Sequence, residues 1–180
     1  MRTLARSFYA RDTVQVARDL LGKIVQHGDT SGRIVETEAY LGTADAAAHS
    51  AAGITPRTRV LFGPPGHAYV YLSYGIHACL NVVAEQEGTA GGVLIRALEP
   101  LTGIEEMRRR RGIRKAADLA NGPGKLTKAM GITLAHNGVD VTRGPILVLD
   151  DKYRRFEIAA SRRIGISKSQ ELLLRFCVVG

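Results

Sequence analysis

The 180-residue sequence predicts an α+β fold: one domain spanning residues 1–180, built on a curved, largely antiparallel β-sheet with peripheral helices. Three observations carry that expectation. Two stretches, "KIVQHGDTSGRIVETEAY" and "AYVYLSYGIHACLNVV", are β-rich runs interrupted by turn residues, as hairpins are. Helical periodicity occupies separate segments inserted between the strands, with no βαβ alternation. The length suits a single core and is short for two full-sized domains.

In "RDTVQVARDLLG", Val14, Ala17, Arg18 and Leu21 follow helical spacing, Asp12 can cap the start and Gly22 can close the end, so a helix is expected over 12–21. Residues 23–40 follow as two strands around a Gly-Asp-Thr-Ser-Gly loop. "TADAAAHS" is short and helix-prone, whereas "SAAGITPRTR" has the turn residues and polarity of an exposed loop. Beyond "GPPGH", the run 68–83 is aromatic and β-branched and is pinched at Gly75, either as a second hairpin or as a sharply bent strand. "GGVLIRAL" reads as a buried strand with one conspicuous charge, Arg96. From "LTGIEEMRRRRG" onward the pattern is helical, with Glu105 and Glu106 early and Arg108 to Arg111 late, the order a helix dipole favours. "NGPGKLTKAMGI" is a Gly-Pro loop leading into a short helix, and strands near 146–149, 156–160 and 172–179 complete the chain.

Apolar residues make up 45% and charged residues 23%, ordinary globular usage far from that of disordered chains. The excess of 25 Lys and Arg over 17 Asp and Glu, a net +8, favours anionic partners such as nucleic acid or acidic lipid. Cys79 and Cys177 form no CxxC and have no His at ligand spacing, and the five histidines form no HxH or HExxH pattern. Neither a disulfide framework nor a metal site is expected, and a reducing compartment is the simpler reading. No uninterrupted apolar run is long enough for a signal peptide or a membrane span. GxGxxG is missing, and "GPGK" lacks the strand and the distant glycine of a P-loop.

Three features carry chemistry. In "ETEAY", a period of two places Ile34, Glu36, Glu38 and Tyr40 on one face, about 6.7 Å between successive positions, which leaves the two carboxylates equivalent and invites comparison with a paired-carboxylate glycosidase. In "YVYLSYG", Tyr69 and Tyr71 suit either core packing or a binding face. Arg96 in an apolar strand keeps its proton and needs a carboxylate or another anion beside it, for which Glu36 and Glu38 are the candidates.

Taken in order, "GRIVETEAYLG", "DAAAHS", "TPRTR", "PGHAYVYLSYGIHACLNVV", "VLIRALEP" and "NGPGKL" resemble the monofunctional 3-methyladenine DNA glycosylases, the alkyladenine or methylpurine glycosylase family, from about Leu4 to Phe176. The resemblance implies base-excision repair of duplex DNA containing alkylated or deaminated purines (3-methyladenine, 7-methylguanine, hypoxanthine, ethenoadenine). The damaged nucleotide is flipped from the stack, as glycosylases generally require. It implies Tyr74 as the residue that intercalates in the vacated space, beside Gly75 and Ile76, with Thr55 and Lys125 in DNA-contact loops. Tyr40 and His49, with Tyr71 opposite, would hold the base, and cationic alkylpurines would gain a cation–π attraction of about 0.5–2 kcal/mol. Asn81 would crowd the 2-amino group of normal guanine. Glu38 would be the general base for a water attacking C1′, Arg96 would hold that water and carboxylate, and Glu36 would be a supporting neighbour. No cofactor, no metal and no Schiff-base lyase step are implied. Cys177 stands where an aromatic is more usual.

The competing reading is a non-catalytic module that binds damaged or bent DNA or structured RNA through the same basic surface; Glu38, Arg96 and Tyr40 together distinguish the two, since binding alone needs no water-activating carboxylate. The expected state is a monomer. The expected location is cytoplasmic: nucleoid-associated in a bacterium, nuclear in a eukaryote.

Overall fold

The computed structural model describes residues 1–180 and shows the expected α+β architecture around one nine-stranded antiparallel sheet. Strand β1 (Arg2–Thr3) and helix α1 (Arg6–Tyr9) lead into α2 (Thr13–Leu20), β2 (Ile24–His27) and the long β3 (Thr30–Tyr40). After a loop of 3-10 turns come β4 (Ala68–Ser73), β5 (His77–Val83) and β6 (Gly92–Thr102), then α3 (Ile104–Arg111) and α4 (Pro123–Met130). The chain closes with β7 (Ile146–Asp150), β8 (Glu157–Ser161) and β9 (Arg175–Val179). The main path runs β1-β7-β2-β3-β6-β5-β4, while β9 pairs with β3 and β8 pairs with β9. Strand β3 is the spine: β6 lines one edge along most of its length, and β2 and then β9 share the other.

Helix α2 starts where Asp12 accepts a hydrogen bond from the Gln15 N–H, the N-cap expected there. Its buried face is Thr13, Val16, Ala17 and Leu20, one position away from the predicted stripe; Arg18 is exposed, with its guanidinium over the Phe176 ring. Leu126, Ala129 and Met130 of α4 and Met107 of α3 join α2 and the inner sheet face in the main core. Helix α4 begins at Pro123, whose missing N–H costs nothing in a first turn.

Several boundaries differ from expectation. The first hairpin turns on two residues, Gly28 and Asp29, because His27 pairs with Thr30; Thr30, Ser31 and Gly32 belong to the strand. "TADAAAHS" forms 3-10 turns at Gly42–Ala44 and His49–Ala52 where a helix segment was anticipated. The "TPRTR" loop is tied down: the buried Thr58 hydroxyl donates to Gly53 O, and Arg59–Phe62 makes a further 3-10 turn. Strict alternation also fails in β3. Ile34 and Ala39, of opposite parity, lie in the same core, and two opposite register shifts between Ile34 and Thr37, which leave Val35 of β3 and Arg96 of β6 unpaired, form a bulge in each strand. The β3 bulge takes Ile34 off the face of Glu36, Glu38 and Tyr40.

Run 68–83 is a hairpin: β4 pairs with β5 from Ala68↔Val82 to Ser73↔His77. At its tip Tyr74 and Gly75 have φ of 51° and 70°, the pair of positive values a type I′ turn requires.

Candidate active site

A cleft of about 590 Å³ opens between the end of β3, the 46–50 stretch, the β4–β5 hairpin, β6 and the 164–168 segment. Its lining includes Tyr40, His49, Tyr69, Tyr71, Asn81 and Arg96, with Tyr74 at the rim. Each side chain is held by a local cause. Bulged β3 ends in Glu38 and Tyr40 on the cleft side, and β6 sets Leu94 opposite Glu38, two residues before Arg96. The 41–52 loop, which carries His49, turns sharply at Gly42, where φ is 87° and a Cβ would collide with the Ala90 carbonyl.

Glu38 is completely buried, one layer behind the cleft surface. Its Oε2 accepts the Tyr40 hydroxyl at 2.8 Å and its Oε1 accepts the backbone N–H of Ile164 at 2.8 Å. Arg96 Nη1 lies 3.5 Å from the same Oε1, while its Nε donates to Glu36 Oε1 at 2.8 Å. Glu36 takes a second cation, Arg175, whose Nε donates at 2.6 Å. Burial would raise the Glu36 pKa, but hydrogen bonds from Arg175 and Arg96 outweigh it and hold this carboxylate below its ordinary range. Arg96 therefore bridges both glutamates, which answers the need of a strand arginine for an anion.

The aromatic wall is continuous. His49 meets Tyr71 edge to face at 4.5 Å between centroids, and Tyr69 lies 5.4 Å from Tyr71. His49 and Tyr71 thus form one wall, with no room for a base between them, contrary to the expectation that Tyr71 stands opposite His49. Tyr40 lines the same cleft outside that ring-to-ring contact. His49 Nδ1 and the Tyr69 hydroxyl are 3.0 Å apart, and burial, reinforced by the nearby Arg57, lowers the His49 pKa. Burial and the Glu38 charge push the Tyr40 phenol well up, and burial does the same for Tyr71. Asn81 is buried and donates through Nδ2 to Tyr69 O at 3.1 Å.

Tyr74 is 87% exposed, and Ile76 is exposed beside it on the hairpin tip. Thr55 and Lys125 do not line the cleft: the Thr55 N–H donates to the Thr58 hydroxyl oxygen, and Lys125 Nζ donates to Asn121 Oδ1 at 2.8 Å. The arginine cluster of α3 is internally committed, Arg108 to Glu105 and Arg109 and Arg110 to Glu106. Nowhere do three His, Cys, Asp or Glu side chains converge as metal ligands, and no helix is long and apolar enough to cross a membrane.

Sequence reasoning missed a second charged pair. Arg163 Nη1 and Nη2 donate to Asp45 Oδ2 and Oδ1 at 2.5 and 2.9 Å, with both side chains essentially inaccessible. Arg163 also donates to Ala39 O, and its guanidinium lies 4.7 Å from the centre of the Tyr40 ring. Asp45 accepts the N–H groups of Leu41 and Ala47 as well. One buried pair thereby joins three walls: the end of β3, the loop leading to His49, and the segment whose Ile164 N–H meets Glu38. The one signal available was two charges in otherwise unremarkable stretches, "TADAAAHS" and "SRRIGIS".

Comparison with known proteins converges with this geometry. The family model for methylpurine-DNA glycosylase matches residues 7–180. A protein of Methanoculleus marisnigri named "Putative 3-methyladenine DNA glycosylase" is 50% identical over 185 residues, covering 99% of this chain and 96% of its own. Proteins of the same name from Bradyrhizobium diazoefficiens and Rhodopseudomonas palustris strain BisB18 are 51% and 52% identical, covering 99% and 98% of this chain and 88% of each of theirs. The chain belongs to the methylpurine-DNA glycosylase family.

Proposed function

We propose that this protein is a monofunctional DNA glycosylase that removes alkylated or deaminated purines from double-stranded DNA by hydrolysis. The observation that carries the reading is Glu38, a buried carboxylate held by Tyr40, Ile164 and Arg96 immediately behind an aromatic cleft. A flipped purine stacks between Tyr40 and the wall of His49 and Tyr71. Guanidinium groups already lie over the rings of Tyr40 and Tyr71, at 4.7 and 5.5 Å, so dispersion contributes more of the stacking than any cation–π gain from the lesion. Asn81 excludes the 2-amino group of undamaged guanine, and Tyr74 fills the gap left in the duplex, with Gly75 and Ile76 against the neighbouring bases and Thr55 and Lys125 on the backbone.

In the reaction the water oxygen forms a bond to C1′ as the N-glycosidic bond breaks, its electron pair leaving with the purine. Glu38 accepts the proton of the water, and its charge stabilises the oxocarbenium-like transition state. The cationic lining supplied by Arg57 and Lys168 complements DNA phosphates.

Glu38→Gln keeps the side-chain shape and removes the base. Single-turnover release of hypoxanthine or an alkylated purine from a duplex should fall at least ~100-fold, the ordinary contribution of general base catalysis, while duplex affinity is retained. Duplex binding by the unaltered protein without release of any such base would replace this reading with the binding-module alternative.

A further inference from the structure

Resting on the glycosylase reading, we infer that Glu36 and Arg175 are positioning residues that set how tightly Arg96 engages Glu38, and so how readily Glu38 takes a proton. Arg96 is shared unequally. Its Nε donates to Glu36 at 2.8 Å, whereas its Nη1 stands 3.5 Å from Glu38, beyond a good hydrogen bond. A guanidinium can instead clamp one carboxylate with two parallel bonds. Glu36 prevents that clamp from closing on Glu38. It stays ionised through the working range because two arginines hold its pKa low.

Arg175 acts in the opposite sense. Its Nε competes at 2.6 Å for the same Glu36 Oε1, and its Nη1 is steadied by the Ser161 hydroxyl at 3.2 Å. Without Arg175, Arg96 is the sole guanidinium on Glu36 and is drawn further from Glu38. The charged and titratable groups facing Glu38 are Glu36 and Tyr40 on its own strand, Arg96 on β6, Arg163 after β8, and Arg175 and Cys177 on β9. Among the cations, Arg96 approaches within 4 Å, so Glu36 and Arg175 act chiefly by directing it.

The test is the pH dependence of single-turnover base release. The rate needs unprotonated Glu38, so a carboxylate gripped harder by Arg96 becomes active at lower pH. Glu36→Gln should move the acidic limb down by about one pH unit and lower the plateau, because a clamped carboxylate is a poorer base. Arg175→Gln should move the limb up by roughly half as much. In an Arg96→Gln background, the displacement caused by Glu36→Gln should shrink by more than half. Near-ultraviolet circular dichroism and affinity for an abasic-site duplex report whether each variant is folded; if Glu36→Gln is not, Arg175→Gln decides alone, an upward move supporting the inference and an unmoved limb overturning it. Coincident limbs, displacements of the same sign, or a Glu36→Gln displacement undiminished without Arg96 also overturn it. No release by the unaltered protein would overturn the glycosylase reading and this inference together, whereas release with unmoved limbs overturns this inference alone.

Discussion

Asp45 and Arg163 lie 118 positions apart and meet in a bidentate pair from which water is excluded. Breaking such a pair is far more costly than its net contribution, because the abandoned charge stays buried. Asp45→Asn, nearly isosteric, leaves the Arg163 guanidinium without its counter-charge and should cost about 3–5 kcal/mol, read as a lower urea midpoint. A loss under about 1 kcal/mol would show that Arg163 finds another partner or reaches water. Base release should fall as well, since the pair fixes the loop leading to His49 and the segment that presents Ile164 to Glu38. What could be read beforehand divides along physical lines. An arginine in an apolar strand announces its own requirement, so its partnership with Glu36 and Glu38 was legible. Asp45 and Arg163 make no such announcement, because each sits in a stretch without a strand signature and becomes buried only when the fold brings the two together. The packing of His49 against Tyr71 was illegible for the same reason: spacing tells which residues approach a site, while ring orientation depends on the walls around them.

The β4–β5 hairpin shows how one element divides its labour. Its inner end contributes Tyr69, Tyr71 and Asn81 to the cleft, and its tip holds Tyr74 in solvent. Since the Tyr74 ring has almost no packing to lose, Tyr74→Ala should change stability by no more than about 0.5 kcal/mol. It should abolish the fluorescence rise of a reporter base placed beside the lesion; an undiminished rise would remove Tyr74 from the wedge role. Gly75→Ala has the reverse profile. Nothing crowds the added methyl, yet φ of 70° imposes a left-handed conformation costing about 1–2 kcal/mol, so the hairpin loosens although Tyr74 remains. The glycine pinch made this hairpin legible, and the strand identities followed from its aromatic and β-branched content. The β3 bulge left no comparable mark, because no Gly or Pro stands between Ile34 and Thr37. Period-two reading therefore carried Ile34 onto the wrong face while placing Glu36, Glu38 and Tyr40 together, and it exposed no difference between the glutamates. Strand β9 and the segment before it created that difference, β9 by giving Glu36 a second arginine and the segment by setting Ile164 on Glu38.

At the scale of the whole molecule, the chain is closed by charge pairs linking its first 33 residues to the stretch 140–151. Arg6 meets Asp140 at 2.5 Å, Lys23 meets Asp150 at 3.3 Å and Arg33 meets Asp151 at 2.7 Å. Burial opposes ionisation of Asp140 and Asp150, yet hydrogen bonds from Thr142 and Arg6, and from Lys152, Arg154 and Lys23, bring both down to about 2. Asp151 is lowered to about 2 chiefly by Arg33. In the unfolded chain these carboxylates titrate near 3.9, so the folded state holds fewer protons in the interval between. Their contribution is complete above about pH 4 and is lost as pH falls toward about 2. A smaller decline begins earlier: burial lowers the His49 pKa, so from about pH 6.5 downward the unfolded state takes up a proton that the folded state resists. The urea midpoint should therefore dip slightly from pH 7 to 5 and fall steeply from pH 4 to 2. The rising positive charge of a +8 chain also favours unfolding in acid through general repulsion, which salt screens. Asp151→Asn separates the two causes. It removes one titrating carboxylate while leaving Arg33 its cation–π contact with Tyr153, so the steep segment should become shallower at both low and high salt. If the slope of the variant matched that of the native protein at both low and high salt, the Arg33–Asp151 pair would contribute nothing to the acid sensitivity.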